Sequence, residues 1–600
     1  MSAKDQPSKV EEVKEASNYL RGFVAEEAFN GLPNYSEEAY NILKFHGSYQ
    51  QDDRDVRVER KKAGLDKAYS MMIRSRIPGG KITAEQYLEH DRLAMELGNR
   101  TLRITTRQSF QLHGVLKNDL PTVIRRINEV LLSTLAACGD VERNVLSCPA
   151  PIRDDIRDRM QADADLFASH FAPRTNSYWE LWLDGEKIDN PLLPQPRPTL
   201  IPTPADTEVE PIYGRHYLPR KFKTAFSLPF DNCTDVYAND LGFLAVIEAG
   251  QLVGYNVLVG GGLGTTPSNK NTFPHLGKDL CFVTREGVLE IGEAVIKAYR
   301  DLGNRADRKR ARIKYLVADL GIDAFRSKVE EYLGHPTEPP RPNPVTGVDD
   351  HMGWHEQGDG KLFLGIPIEN GRVRDVGALR LATALRTLFQ TYKMPARLTC
   401  QQSILLCDLD PAWRDEINQL LADHGVARVE TISTVRRWAM ACPAMPTCGL
   451  AVTESERVLP RLLDQLEQRL AKLGLADEVF TVRMTGCPNG CARPYNADIG
   501  LVGRSAGKAK PGDEGPVAGT YTLFLGGSLV GHRLASLYKD YVPFDRLVDE
   551  LTPIFARFKT DRQPNETFGD FCDRLGVERL AAIVAEAEAN GSANGTARAS

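Results

Sequence analysis

The sequence has no uninterrupted apolar run of about eighteen residues, the length that a membrane-spanning helix needs. Its best candidate, Gly242 to Leu263, is broken by Glu248, Gln251 and Asn256 and punctuated by glycines, so no transmembrane segment is expected. Nor is there a Gly-x-Gly-x-x-Gly. The run Gly260-Gly-Gly-Leu-Gly264 is wrongly spaced for a dinucleotide fingerprint, and Gly503-Arg-Ser-Ala-Gly-Lys508 is one residue short of a phosphate loop and lacks the following Ser or Thr. A nicotinamide or flavin site is therefore not expected. Charge of one sign is also missing: 75 basic against 80 acidic residues leave a net charge of −5, which argues against a general nucleic-acid binder and makes any anion site a local one. The N-terminus, Met1-Ser-Ala-Lys-Asp-Gln-Pro-Ser-Lys-Val10, has neither an apolar core nor an Arg-rich, acid-poor character, so a cytoplasmic location is expected. Cysteine is scarce, 11 in 600 residues, which suits a reducing compartment where thiols serve metals rather than disulfides.

Those few cysteines are unevenly placed. Four stand in Cys442-Pro443-Ala444-Met445-Pro446-Thr447-Cys448 and Gly486-Cys487-Pro488-Asn489-Gly490-Cys491, spaced C-x5-C and C-x3-C. Buried or disulfide-bonded cysteine is the ordinary reading of any one of them. Two pairs at spacings unlike zinc knuckles, beside Pro and Gly that bend the backbone around a bulky object, suit an iron-sulfur cluster better. The quartet resembles that of the siroheme-containing sulfite and nitrite reductases, which carry C-P-x-x-P-x-C followed by T-G-C-P-N-G-C. That resemblance implies that Cys442, Cys448, Cys487 and Cys491 ligate a [4Fe-4S] cluster, with Cys491 bridging to the siroheme iron and Asn489 beside the cofactors.

Six hundred residues exceed what one hydrophobic core can organise, and 42% hydrophobic with 26% charged residues is an ordinary globular composition. Residues 1 to about 15 read as a solvated lead-in, and 16 to 60 show no clear period. From Ala68 the pattern becomes regular: a strand-like Tyr69 to Ile77, a turn at Pro78-Gly79-Gly80, a helix from Thr83, an alternating stretch Thr101 to Gly114, and a helix from Leu120 to Leu132. The order returns at an offset of about 294 residues, with Lys361 to Ile368, a turn at Glu369-Asn-Gly371, a helix to Tyr392, and Arg397 to Leu406. Arg103/Arg397, Thr105/Thr399, Gln108/Gln402 and Ser109/Ser403 match, which points to an internal duplication. Proline-rich stretches at Pro191 to Pro204 and His335 to Pro344 punctuate the chain.

The family resemblance, which spans roughly Val10 to Val577, implies an α+β fold. It is a duplicated, pseudo-two-fold architecture with two ferredoxin-like half-domains and two larger α/β domains around a central cofactor. The expected divisions are an N-terminal arm (1–65), a first half-domain (66–140), a first α/β domain (145–335), a second half-domain (345–415), a second α/β domain carrying the cysteines (425–578) and a flexible tail (579–600).

Read as one strand, Arg103 to His113 puts Arg103, Thr105, Arg107, Ser109, Gln111 and His113 on one face, wholly polar. A solvent-facing strand is the ordinary reading. The second copy has Leu405 and Cys407 on the corresponding face, so the first copy is expected to serve a ligand. The resemblance implies that Arg103, Arg107 and Gln111 bind siroheme, whose carboxylates need paired cations. It also implies that Arg74, Arg143, Lys221 and Lys223 contact the substrate, sulfite. Lys221 and Lys223, two apart in an extended segment, would share a side, which makes sense if an anion lies between them. In the nitrite reductases the position of Lys223 is usually Asn, which favours sulfite. The basic run Asn304 to Arg312 reads as a solvated helix face. Cys148 reads as an ordinary buried thiol, since the offset of Tyr69 does not suit the Tyr-Cys thioether of some family members.

Electrons must come from a partner. Ser17 to Gly22 and Tyr49 to Arg54 resemble the hemoprotein subunit that pairs with an NADPH-oxidising flavoprotein (alpha) subunit, whereas Gly353 to Gly360 and Cys491-Ala-Arg-Pro-Tyr495 resemble ferredoxin-dependent enzymes. The flavoprotein is the favoured expectation. A structural iron-sulfur protein without catalysis is the alternative from another class, and the cationic residues speak against it.

Overall fold

The computed structural model describes residues 6–175, 177–178, 181–183, 186–188, 199–266, 269–508 and 515–596. Most of the stretch Pro191 to Pro204 and the last four residues of the expected tail therefore lie outside the described residues. The chain divides into two units, 1–262 with 277–429, and 263–276 with 430–600.

Two five-stranded sheets in the first unit express the duplication. One runs Ser48–Asp52, Tyr69–Arg74, Phe110–Val115, Leu102–Ile104, Arg372–Val373; the other runs Gly353–Glu356, Leu362–Ile366, Ile404–Leu409, Ala396–Leu398, Lys81–Ile82. Each copy thus lends the other a two-residue edge strand. The lending strand follows a tight turn whose backbone only glycine tolerates. A side chain on Gly80 (φ 72°) would sit 2.4 Å from the carbonyl of Leu398, and one on Gly371 (φ 73°) would sit 2.2 Å from that of Ile104. The helices Ala84–Glu96 and Leu381–Tyr392 follow. The first is opened by a capping box of Thr83 and Gln86. They face each other through Tyr87 and Phe389, whose rings stack at 4.1 Å, and one apolar core joins Ile73, Ile104 and Phe110 to Ile366, Leu398 and Ile404.

The expected single strand from Arg103 to His113 is instead a hairpin. Leu102–Ile104 and Phe110–Val115 are joined by a turn closed by Thr105 N–H on the Ser109 carbonyl (2.9 Å), with Gln108 at φ 48°. The second copy repeats it, with Thr399 on Ser403 (2.9 Å) and Gln402 at φ 66°. Alternation alone cannot register a turn that has no Gly, Pro or Asn in it, so Thr105, Arg107 and Ser109 leave the strand face.

Also in the first unit, Thr224–Ser227 runs parallel to Leu241–Glu248, which continues antiparallel into Gln251–Val259 and Lys278–Val283. The helices Asp155–His170 and Val288–Leu302 pack on this sheet through one core that includes Phe167, Phe226, Phe243 and Ile291. The second unit holds a related sheet. Met440–Ala441, Val482–Thr485 and Ile499–Ser505 are parallel neighbours, followed by antiparallel Thr520–Leu525 and Ser536–Pro543. A left-handed residue, Asp235 (φ 51°) in one and Arg493 (φ 58°) in the other, opens the turn before the strand starting at Leu241 or Ile499.

Two expectations from the ends of the chain, the solvated lead-in and the flexible tail, are corrected. The solvated lead-in contains the helix Lys9–Ala16, held by the buried Lys14, which donates to the carbonyl of Leu218 (2.8 Å) and pairs with Glu11 (2.5 Å). The arm supplies Ser48–Asp52 as an edge strand on Tyr69–Arg74. The tail expected to be flexible from 579 continues the helix Phe568–Thr596, in which Leu580 and Val584, four apart on one face, enter the second unit's core. Among the described residues no helix is long and apolar enough to cross a membrane.

Gly371→Ala is expected to destabilise the protein by about 2 kcal/mol or more, from the left-handed backbone and the contact with Ile104 together. The measurement is the midpoint of thermal unfolding, and an unchanged midpoint would contradict the role given to this turn.

Candidate functional site

In the second unit the parallel register Ala441↔Met484 sets the carboxyl ends of two neighbouring strands side by side, and the cysteine loops grow from those ends. Cys442 N–H donates to the Met484 carbonyl (3.2 Å), and the N–H of Gly486 donates to Cys442 Sγ (3.3 Å). Gly486 permits this approach, since a side chain there would meet the Thr453 carbonyl at 2.5 Å. Asn489 Nδ2 donates to Cys487 Sγ at 3.5 Å. Burial pushes the Cys487 thiol up to about 12, with Cys491 and Cys448 adding to it. Cys442 is raised in the same way by burial and then by Cys491, Cys487 and Cys448, against the opposing Gly486 N–H. Thiolates so close repel one another until cations compensate them, which iron would do. Cys491 is exposed and Cys448 half-buried, and the residues present fit a [4Fe-4S] cluster. Arg483 and Arg493, both buried, lie in the same loops and strand; sequence reasoning passed over them.

In the first unit the polar residues line up across the sheet rather than along a strand. Arg74 is opposite Gln111, Gln111 is opposite Arg103, and Arg103 is opposite Arg372, so four neighbouring strands present one row. Turned with its oxygen toward Arg74, the Gln111 amide accepts from Nη2 (2.5 Å) and Nε (3.2 Å). His113, two residues along, is held well below the usual imidazole range by burial and then by Arg372, Arg103 and Arg74, and its buried Nε2 has no protein partner. Directly opposed like charges cost energy in a sheet. A polycarboxylate relieves that cost, so the row fits siroheme. Arg372, from the other copy's lent strand, was not foreseen; only the strand exchange brings it here.

The duplicated position shows the contrast. The corresponding row is Gly365, Leu405, Arg397 and Lys81. A side chain at Gly365 would meet the His351 carbonyl at 2.0 Å, and Leu405 packs with Met352, Phe363 and Cys407. One copy's face is polar and the other's is covered by apolar side chains.

Arg107 lies in the hairpin turn and reaches elsewhere. It donates to Asn239 Oδ1 (2.9 Å) and to the carbonyls of Asn144 and Thr224, leaving its buried Nε without a hydrogen-bond partner. Burial lowers its guanidinium to about 10, against Glu142, which holds it up. Arg143 donates twice to the Gly139 carbonyl (3.1 and 3.0 Å) and interacts with Tyr49 and Cys138; Arg74 Nη1 donates to Cys138 Sγ (3.1 Å). Arg74 and Arg143 thus share Cys138. Lys221, Phe222 and Lys223 run extended beside 141–143, with Phe222 buried between hydrogen bonds to Val141 and Arg143, so the two lysines flank it on the other side.

Lys223 is pushed well below the usual ammonium range, first by burial and then by Lys221, Arg312 and Arg107. The carboxylate acting on it, Asp240, already binds Arg312 through Nε (2.9 Å) and Nη2 (2.7 Å to each oxygen). Lys314, which sequence reasoning also missed, is fully buried, donates to the Gly262 carbonyl (2.9 Å), and is lowered to about 6 by burial and then by Arg312 and Lys221, against Asp240. The glycine run has a packing role here: a side chain at Gly262 would meet Arg312 at 2.5 Å. The basic run before it is structural, with Arg305 on Glu11, Arg308 on Asp140 and Arg310 on Asp319. Cys148 is buried beside Asp231.

Two family models match. The nitrite and sulphite reductase 4Fe-4S domain covers residues 163–337 and 433–591, and the nitrite/sulfite reductase ferredoxin-like half domain covers 65–130 and 355–424. The ferredoxin sulfite reductase of Synechococcus elongatus is 45% identical over 96% of this chain and 90% of its own length. The NADPH sulfite reductase hemoprotein beta-component of Myxococcus xanthus is 43% identical over 96% and 98%. Among solved structures, the NirA protein of Mycobacterium tuberculosis superposes with a TM-score of 0.75 at 27% identity, over 96% of this chain and 98% of its own.

Gln111→Leu, which installs the side chain that the second copy has at Leu405, is expected to leave folding intact and lower bound tetrapyrrole per chain about tenfold, as loss of a bond to a charged group would. The ratio of visible to protein absorbance reads this directly; a full complement of tetrapyrrole in the variant would contradict it.

Proposed function

The chain belongs to the nitrite and sulphite reductase family, and from that premise we propose that it is the hemoprotein component of an assimilatory sulfite reductase, which reduces sulfite to sulfide. Sulfur passes from the +4 to the −2 state, so the reaction takes six electrons and releases three oxygens as water. Siroheme and the [4Fe-4S] cluster, when bound, supply the one-electron chemistry that such a reduction needs. Cys442, Cys448, Cys487 and Cys491 would hold the cluster, and Arg103, Arg107, Gln111 and Arg372 would hold siroheme. Arg74, Arg143, Lys221 and Lys223 are read as the groups that bind and orient sulfite.

One observation carries this reading: two lysines and an arginine gathered around Asp240, a carboxylate that Arg312 already engages. Such a pocket favours a doubly charged oxyanion. Lys314, lowered to about 6, is proton-poor near neutral pH, and Lys223 is pushed the same way, well below the usual ammonium range, by burial and neighbouring cations. An anion raises both pKa values, so it draws a proton onto Nζ, and the ammonium at Lys223 Nζ can then donate it to a departing sulfite oxygen. Arg74 and Arg143 set guanidinium groups against the oxygens throughout.

The favoured electron donor is NADPH through a flavoprotein subunit, a reading supported by the hemoprotein beta-component from Myxococcus xanthus. The Synechococcus elongatus relative supports a second reading, ferredoxin. Ser17 and Leu20 of the donor-type motifs are buried, and the half-buried Tyr49 interacts with Arg143. A cytoplasmic location fits this role.

An anaerobic assay with an artificial one-electron donor, offering sulfite and nitrite separately, tests the reading: sulfide formed at low sulfite concentration is expected, and a strong preference for nitrite would overturn it. Adding a reduced flavoprotein or reduced ferredoxin then separates the donors. Lys223→Met is expected to lower kcat/KM for sulfite about 100-fold, the scale for losing one preorganised charge-stabilising donor. Sulfite binding is expected to take up protons and to weaken as pH rises above neutrality, because the lysines must be protonated to hold the anion. Calorimetry in buffers of different ionisation enthalpy measures this, and a buffer-independent enthalpy would contradict it.

A further inference from the structure

Away from the arginine row, the first unit buries a second group of metal-ligating side chains. Cys148, Asp231, Cys233 and His351 are at most 5% exposed, and one ligand atom from each lies within 4.8 Å of the others. Asp231 Oδ2 is the common neighbour, 3.0 Å from Cys148 Sγ, 3.6 Å from Cys233 Sγ and 3.1 Å from His351 Nε2, while Cys148 Sγ and His351 Nε2 are 3.8 Å apart. Around a tetrahedral zinc, bonds of about 2.3 Å to sulfur and about 2.0 Å to nitrogen or oxygen put neighbouring ligand atoms roughly 3.3–3.8 Å apart. The separations of 3.6 and 3.8 Å fall in that range and those of 3.0 and 3.1 Å lie just below it.

We infer that Cys148, Asp231, Cys233 and His351 form a closed, structural site for one divalent metal ion of the zinc class. Two thiolates, an imidazole and a carboxylate are a ligand set that borderline-soft Zn²⁺ takes, and four protein ligands leave no open position for catalysis. The site is prepared from outside as well. Asp231 Oδ1 accepts the Asp349 N–H (3.2 Å), which turns Oδ2 toward the other three ligands, and His351 N–H donates to Asp349 Oδ1 (2.8 Å). His351 adopts φ 58°, a left-handed backbone costly for a side chain of its size and sustained only by its surroundings.

Its place in the fold gives it a use. Asp231 and Cys233 lie just beyond the strand Thr224–Ser227, whose other end carries Lys223; Cys148 follows the bridge of Leu146 to Ala225; His351 precedes the strand Gly353–Glu356. One ion would tie three chain segments together and anchor the strand that presents the lysines.

The holoenzyme, incubated with excess zinc chloride and then desalted over a chelating resin, tests this by iron and zinc analysis of one sample and by X-ray absorption at the zinc edge. About one zinc per chain is expected, with two sulfur neighbours at about 2.3 Å and two nitrogen or oxygen neighbours at about 2.0 Å. His351→Ala should bring zinc to background with iron unchanged, and His351→Cys, which keeps a ligand, should retain it. Wild-type protein without zinc after loading would overturn the inference and leave a plain His351–Asp231 ion pair. So would full zinc in soluble His351→Ala, or a four-sulfur zinc shell, which would put the metal in the Cys442 quartet. If His351→Ala fails to fold, the wild-type absorption spectrum and His351→Cys still decide.

Discussion

Guanidinium groups opposed across a sheet repel one another, and the first half-domain is built around that cost. Arg103 and Arg372 are direct cross-strand partners, with Gln111 between Arg103 and Arg74. The strand order that creates the row also requires the core beneath it. Ile73, Ile104, Phe110 and Leu112 point the other way and join the second copy in one apolar interior, which fixes the register. A one-residue slip would turn the arginines into the apolar interior and the core residues out of it. The repulsion is thus held in place by hydrophobic burial on the opposite face, and a polyanionic cofactor is the natural counterweight.

Duplication made this arrangement affordable because the copies diverged. Reciprocal edge strands, paired glycine turns and facing helices are retained in both. In the second copy Gly365 and Leu405 replace arginine and glutamine, and the chain at 351–353 lies over them. One half serves as scaffold and the other as site. The two α/β sheets share a turn of their own: the one after Asp235 leads to Asp240, bound by Arg312, and the one after Arg493 leads to Asp498, which accepts from Thr481.

The pocket's electrostatics follow from excess. Asp240 is engaged by Arg312, so Lys221, Lys223 and Lys314 are left dominated by other cations and by burial, which holds Lys223 and Lys314 below their usual range. Charge held back in this way is available when an anion arrives. The Cys148 group in the same unit is a contrast in kind: thiols, imidazole and carboxylate, all buried and gathered on one another.

Much of this was legible in the residues. The cysteine spacing, the duplication and the pairing of Lys221 with Lys223 depend on local order along the chain, where side-chain chemistry and backbone period act directly. The hairpin inside Arg103 to His113 was not legible, because its turn uses Gln108 in a left-handed conformation that no Gly, Pro or Asn announces. Arg372 and Lys314 were hidden for a different reason: each belongs to the site through contacts with residues far away in sequence, by strand exchange in one case and by burial against Gly262 in the other. The helical tail was misread because composition from 586 onward outweighed Leu580 and Val584. Local sequence determined which chemistry the chain carries and that the first copy keeps it, since Leu405 and Cys407 stand on the second copy's face; only tertiary packing decided which distant residues join it, because Arg372 and Lys314 arrive through a strand exchange and a buried contact that no local pattern records.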